Sequence, residues 1–255
     1  MKKFTKIVLI ITGILAVIAA VCIIIAACMG AKWGTVQNMI FDGKFTIDFV
    51  DGFEIGIIGS DRTTISSEPV TITEEIDTLK VEFGAGKLEV CYGDVENILI
   101  EPQGVAGFEA KANNKTLRIE GGLGVSTNGD GSLKITLPQG LAFEEVKFEI
   151  GASAAEVTGL VADELKIEVG AGKATLEKVD VKELKADVGV GELNVGLVGA
   201  QTDYNYKLDC GIGEIKFGNA SYGGLGNSQT VEQTGATRSI DVDCGIGKVE
   251  ILFEE

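Results

Sequence analysis

The sequence predicts an all-β fold, a β-solenoid-like stack of short Gly-x-Gly repeats, preceded by one transmembrane α-helix. Three observations carry that reading. A pattern of apolar, charged, apolar, acidic, apolar, Gly, x, Gly or Ser recurs at least six times, the apolar alternation changes parity at each Gly-x-Gly, and a charge-free apolar run precedes the repeats.

Residues 7–29, IVLIITGILAVIAAVCIIIAACM, hold no charge. At 1.5 Å per residue such a helix crosses roughly 30 Å of hydrocarbon. Lys2, Lys3 and Lys6 precede the run and the first acid after it is Asp42. The positive-inside rule therefore leaves residues 1–6 in the cytoplasm and exports the chain beyond Ala31. A cleaved signal peptide and a lipoprotein signal ending Ile25-Ala26-Ala27-Cys28 compete with this reading. A signal peptide's apolar core is only about 7–15 residues, so the length favours an uncleaved anchor in the cell membrane.

Residues 30–70 form a juxtamembrane segment. Phe41, Phe45, Ile47, Phe49, Phe53, Ile55 and Ile57 alternate there with polar residues, as in a hairpin packed on the domain or a surface near the bilayer.

The repeats fill residues 71–255. They read LKVEFGAGKLEV (79–90), VKFEIGASAAEV (146–157), LKIEVGAGKATL (165–176), LKADVGVGELNV (184–195), YKLDCGIGEIKF (206–217) and IDVDCGIGKVEI (240–251). A strand keeps one face in the core only while its period of two is unbroken. A parity change therefore demands a bend or bulge, and glycine permits the positive φ such a corner can require. The expected corners are Gly84, Gly86, Gly151, Gly170, Gly172, Gly189, Gly191, Gly211, Gly213, Gly245 and Gly247. First glycines at 151, 170, 189 and 211 lie one short coil apart, while the gaps from 84 and to 245 call for extra coils or loops. A hairpin array looped at Gly-x-Gly is the alternative.

Cys210 and Cys244 occupy the slot held elsewhere by Phe83, Ile150, Val169 and Val188, the last inward residue before the corner. They read as core thiols, with a disulfide open to them if their coils adjoin, although in-register side chains seldom offer the torsion it needs. Outward positions carry a lysine column (Lys80, Lys147, Lys166, Lys185, Lys207) beside an acidic one (Glu82, Glu149, Glu168, Asp187, Asp209, Asp243). A solvated face of offsetting charges is the plain reading, and a carboxylate ladder for cations or polymer the sharper one. Residues 218–235, GNASYGGLGNSQTVEQTG, lack alternation and read as a loop, with Tyr222 as a candidate contact in a binding loop.

Past residue 31 the chain carries 19 basic and 38 acidic residues, a formal charge of −19, and only three arginines. Nucleic acid and anionic bilayer surfaces are excluded as partners by that sign. Histidine is absent altogether, which removes the Ser-His-Asp and Cys-His arrangements and the commonest general base. No pair of carboxylates is marked for catalysis, so no catalytic residue, cofactor or metal ligand is assigned, and NGDG at 128–131 reads as a hairpin turn.

The run ITLPQGLAFEEVKFEIGASAAEVTGL, with Leu137, Pro138 and Gly140 ahead of the Gly-x-Gly units, resembles the bacterial putative-adhesin domain family of unknown function. That resemblance spans roughly residues 75–255 and implies a strand-repeat ectodomain on a single anchor. Ser153 in place of glycine, and the long interval from 211 to 245, depart from it. A non-enzymatic envelope module meeting wall polymer or a surface protein is expected, with regulation of membrane signalling proteins in envelope stress as the alternative.

Overall fold

The computed structural model describes residues 45–48, 54–57, 65–122 and 131–254, all within one compact unit, Phe45–Glu255. The expected membrane span at 7–29 and most of NGDG lie outside them. Among the described residues no helix is long and apolar enough to cross a membrane.

Strands β1 (Phe45–Asp48) and β2 (Glu54–Ile57) pair antiparallel with each other, Phe45 opposite Ile57. Next along the chain come β3 (Ile65–Ser66), β4 (Val70–Ile72), β5 (Thr78–Phe83), β6 (Lys87–Gly93), β7 (Ile98–Gln103) and β8 (Val105–Ala106). The chain continues with β9 (Glu109–Asn113), β10 (Thr116–Gly121), β11 (Ser132–Pro138), β12 (Phe143–Ile150), β13 (Ala154–Thr158) and β14 (Val161–Val169). After the long β15 (Lys173–Val198) and a 3-10 turn at Gln201–Asp203 come β16 (Tyr204–Phe217), β17 (Ala220–Val231) and β18 (Arg238–Glu254). Apart from the 3-10 turn, the described regular structure is all β.

Strand, glycine corner and strand together form one rung, and rungs stack parallel and in register. Leu79 pairs with Val146, Val146 with Leu165, and Leu165 with Leu184 on one side of the corner. Leu88 pairs with Ala155 and Ala155 with Ala174 on the other. Each rung turns its apolar residues inward from both strands, so Leu79, Leu88, Leu165 and Leu184 are fully buried in one continuous core. A side chain so buried contributes about 1.5–3 kcal/mol, which no rung could gain without its neighbours. These parallel ladders rule out the hairpin array, and the segments around Ala162 and Val181 are strands rather than turns.

Spatial order departs from chain order at both ends. The chain begins inside the stack with β5 and β6, then lays β10 and β11 on their outer side, and returns with β12 and β13 on the inner side. At the far end β16 leaves a vacant place next to β15, and β18 fills it last, with Val188 beside Cys244 and Cys244 beside Cys210. The long sequence intervals are these detours. Arg238 pins the start of β18: Nη1 donates to Asp180 Oδ1 at 2.8 Å, to the Val181 carbonyl at 3.2 Å and to Tyr204 Oη at 3.0 Å.

Residues 218–235 do not form the expected loop, because β17 pairs antiparallel with β16 along its whole length. An edge strand is held through its backbone, and with one ladder partner it needs no apolar alternation; hence the sequence pattern missed it.

The corner glycines also serve a different purpose from the one expected. Of the eleven, positive φ is found only at Gly86 (+119°) and Gly213 (+155°). What seven of the others lack is room: a Cβ on Gly151 would lie 2.6 Å from the Gly84 carbonyl oxygen, on Gly211 2.7 Å from that of Gly245, and on Gly245 2.8 Å from that of Gly189. Stacked corners touch backbone to backbone. Ser153, where glycine was expected, keeps its side chain buried by donating from Oγ to the Phe83 carbonyl at 3.2 Å.

Substituting Gly151→Ala is therefore expected to destabilise the domain by about 1–3 kcal/mol, the range for overpacking a tight contact. Thermal unfolding followed by circular dichroism measures it; an unchanged midpoint would show that the rungs can separate at no cost.

Candidate functional site

The last three residues before each corner place an acid outward, an apolar residue inward and a glycine at the bend. Repetition in register turns these into three columns, and a groove of about 460 Å³ runs along them. Its floor is the glycine backbone at 84, 151, 170 and 189, with Phe83, Ile150 and Val169 buried directly beneath. Its acidic wall is Glu82, Glu149, Glu168 and Asp187. Ala171 and Val190, the middle residues of their Gly-x-Gly units, form the opposite lip. Four rungs at roughly 4.8 Å give it a length of about 14 Å.

The lysine column does not neutralise this wall evenly. Lys147 bridges Glu149 at 2.7 Å and Glu168 at 3.0 Å, and Arg118 reaches Glu82 at 3.2 Å and Glu120 at 2.6 Å. Lys166 and Lys185 turn the other way, toward Glu145, Glu164 and Glu183. Among the described residues, none places a cation in contact with Asp187. Partial desolvation raises its carboxyl above the ordinary aspartate range, with Asp243, Glu168 and Asp241 adding to the rise and Lys147 opposing it. Inside the wall, between Glu82 and Glu168, Glu149 Oε2 is buried without a hydrogen-bond partner among the described residues.

The corner residues gain size along the stack. In the later rungs the middle position holds Val190, Ile246 and Ile212, which pair in register and are 56%, 51% and 45% exposed. Leu225 on β17 continues the column opposite Ile212 and is 73% exposed. This apolar ridge was not singled out in the sequence. The signal lay in the x of each Gly-x-Gly, which changes from Ala85, Ala152 and Ala171 to Val190, Ile212 and Ile246.

Cys210 and Cys244 sit side by side in the core as free thiols, 4% and 2% exposed. Burial pushes the Cys244 thiol up to about 11, with the adjacent Cys210 contributing. A thiol so placed stays protonated at neutral pH and is a poor nucleophile. Tyr222 lies on β17 opposite Ile215 and packs half-buried against the core. Among the described residues no cluster of three or more Cys, Asp or Glu is arranged to hold a metal ion. The arrangement as a whole offers an apolar floor beside uncompensated negative charge, suited to a ligand that is cationic and partly apolar.

Residues 60–218 match the profile of Toast_rack_N, the N-terminal domain of toast_rack, DUF2154. The crystal structure of a putative cell adhesion protein from Clostridium sporogenes superposes with a TM-score of 0.51 at 18% identity, covering 75% of this chain and 100% of that one. A putative adhesin from Bacteroides fragilis matches at 13% identity over 73% of this chain and 98% of its own, with a TM-score of 0.32. No curated protein matches. The resemblance carried by Leu137, Pro138, Gly140 and the repeats agrees with that family of unknown function and, in fold, with the Clostridium sporogenes structure.

Because Asp187 binds its proton more tightly folded than unfolded, its ionisation lowers stability as pH rises through and above the aspartate range. The variant Asp187→Asn is expected to melt higher than the wild type at pH 7, with the gap closing below about pH 4. Melting curves from pH 3 to 8 test this; coincident curves at pH 7 would remove the uncompensated charge.

Proposed function

The chain belongs to the toast_rack N-terminal domain family, DUF2154, and on that premise we propose that it is a non-enzymatic, single-pass cell-envelope protein. In this reading residues 7–29 anchor it, and the repeats, a β-solenoid, act outside the cytoplasm as a binding or scaffolding module. The corner groove is the observation that carries the proposal. It joins an apolar floor to an acidic wall whose Asp187 end has no counter-ion among the described residues. A wall polymer or surface protein presenting amines or lysines beside apolar groups would displace water from the floor and supply the missing positive charge. The chain's absence of histidine and its protonated, buried Cys244 support a binding rather than a catalytic role.

A second reading, control of membrane-embedded signalling proteins during envelope stress, draws support from the charge-free run at 7–29 and the separate β1–β2 pair beyond it. The two place the contact on different parts of the chain.

In-cell crosslinking of the full-length protein, with mass spectrometry of the captured species, separates them. The wild type is compared with an Asp187→Lys, Asp243→Lys double variant and with a version carrying an unrelated membrane anchor. Envelope binding predicts capture that falls at least tenfold in the charge-reversed variant and survives the anchor exchange. Capture of a membrane protein that is lost on anchor exchange and indifferent to the groove would establish the regulatory reading instead.

A further inference from the structure

The two ends of the stack are finished differently. At one end the outer strands are short: β4 has three residues, and β9 has five and carries the Lys111–Glu109 ion pair. Short, charged edges resist further strand pairing. At the other end lies β17, twelve residues long, which among the described residues pairs only with β16 and has no strand along its outer edge. No residue from Phe217 to Val231 is charged, in a chain that is otherwise strongly acidic. None of the β17 residues of described burial is fully buried. β17 is polar at Ser221, Asn227, Ser228, Gln229 and Thr230 but carries none of the charges or prolines that ordinarily keep an exposed edge from pairing.

We infer that β17 is a self-association edge, on which a second copy of this chain adds its own β17 antiparallel. Charge selects the place: two strongly acidic molecules repel over most approaches, and the uncharged edge is where that repulsion is least. Shape selects the occupant. β17 runs along β16 around the corner, from Ala220 opposite Phe217, through Leu225 opposite Ile212, to Val231 opposite Tyr206. A straight strand could pair with only one half of such an edge. A two-fold axis through Leu225 presents an identically bent strand, carrying each corner into the partner's corner and satisfying the backbone on both halves. It also joins the two apolar ridges, with Leu225 meeting its counterpart where each is otherwise the most exposed large apolar residue of its ridge. The interface is isologous, so it closes at a dimer rather than growing into a fibre.

The test uses the full-length chain in detergent, by sedimentation velocity from about 1 to 100 µM, beside the variant Leu225→Lys, Ser228→Lys. A dimer is expected for the wild type, weakened at least tenfold in the variant, with unchanged circular dichroism because both side chains are exposed. A wild type that stays monomeric overturns the inference, as does a dimer indifferent to the two lysines, which would have formed elsewhere, for example through residues 7–29. In cell membranes, a short bis-maleimide should join Leu225→Cys chains to each other above the wild-type background, and Lys111→Cys chains at the opposite end should not gain a dimer. Joining of Leu225→Cys to a different protein in place of the dimer also overturns it.

Discussion

Backbone-to-backbone contact at the stacked corners is the constraint on which the rest of the structure depends. Rungs in a parallel ladder sit roughly 4.8 Å apart, and at the bend no side chain fits between the carbonyl of one glycine and the α-carbon of the next. This spacing holds the inward columns in register, so that Phe83, Ile150, Val169 and Val188 meet face to face. Where Ser153 interrupts the glycines, its hydroxyl bonds the neighbouring Phe83 carbonyl and the spacing survives.

In-register stacking brings like side chains together on the outer face too. Carboxylates at 82, 149, 168 and 187 would repel along their column were lysines not interleaved two residues earlier. A lysine between two acidic columns can serve only one side fully. Lys147 serves the corner side, while Lys166 and Lys185 serve the other. The negative end of the groove at Asp187 results from that choice of rotamers, and each exposed pair contributes under about 1 kcal/mol. The uneven neutralisation therefore matters more for what the surface attracts than for how firmly the domain folds.

Filling the place between β15 and β16 with the last strand makes the chain's final segment part of its interior. β18 is paired on both edges, buries Ile240, Val242, Val249 and Ile251, and is latched at its start by Arg238. Phe253 near its end packs on Phe217 and Tyr204, with ring centroids 5.1 Å and 5.6 Å apart. Such long-range pairing belongs to the slow-folding, high-contact-order class of topologies. It also leaves β17, the strand made just before the detour, as the outermost described strand at that end of the stack.

The sequence by itself determined the all-β class, the inward columns, the position of each corner and the shared core slot of Cys210 and Cys244. These are local quantities: a period of two, a parity change and a pair of glycines are all visible within a dozen residues. Only the tertiary structure decided which rung neighbours which, because nearly identical repeats are almost interchangeable as ladder partners and their pattern cannot specify an order. It likewise turned residues 220–231 into a strand held along its length by the backbone ladder to β16, and showed that the glycines are needed for the closeness of the next rung more than for their own φ. The groove and the apolar ridge exist only once separate rungs are superposed. No single repeat contains either, since each is a column assembled from residues far apart in the chain.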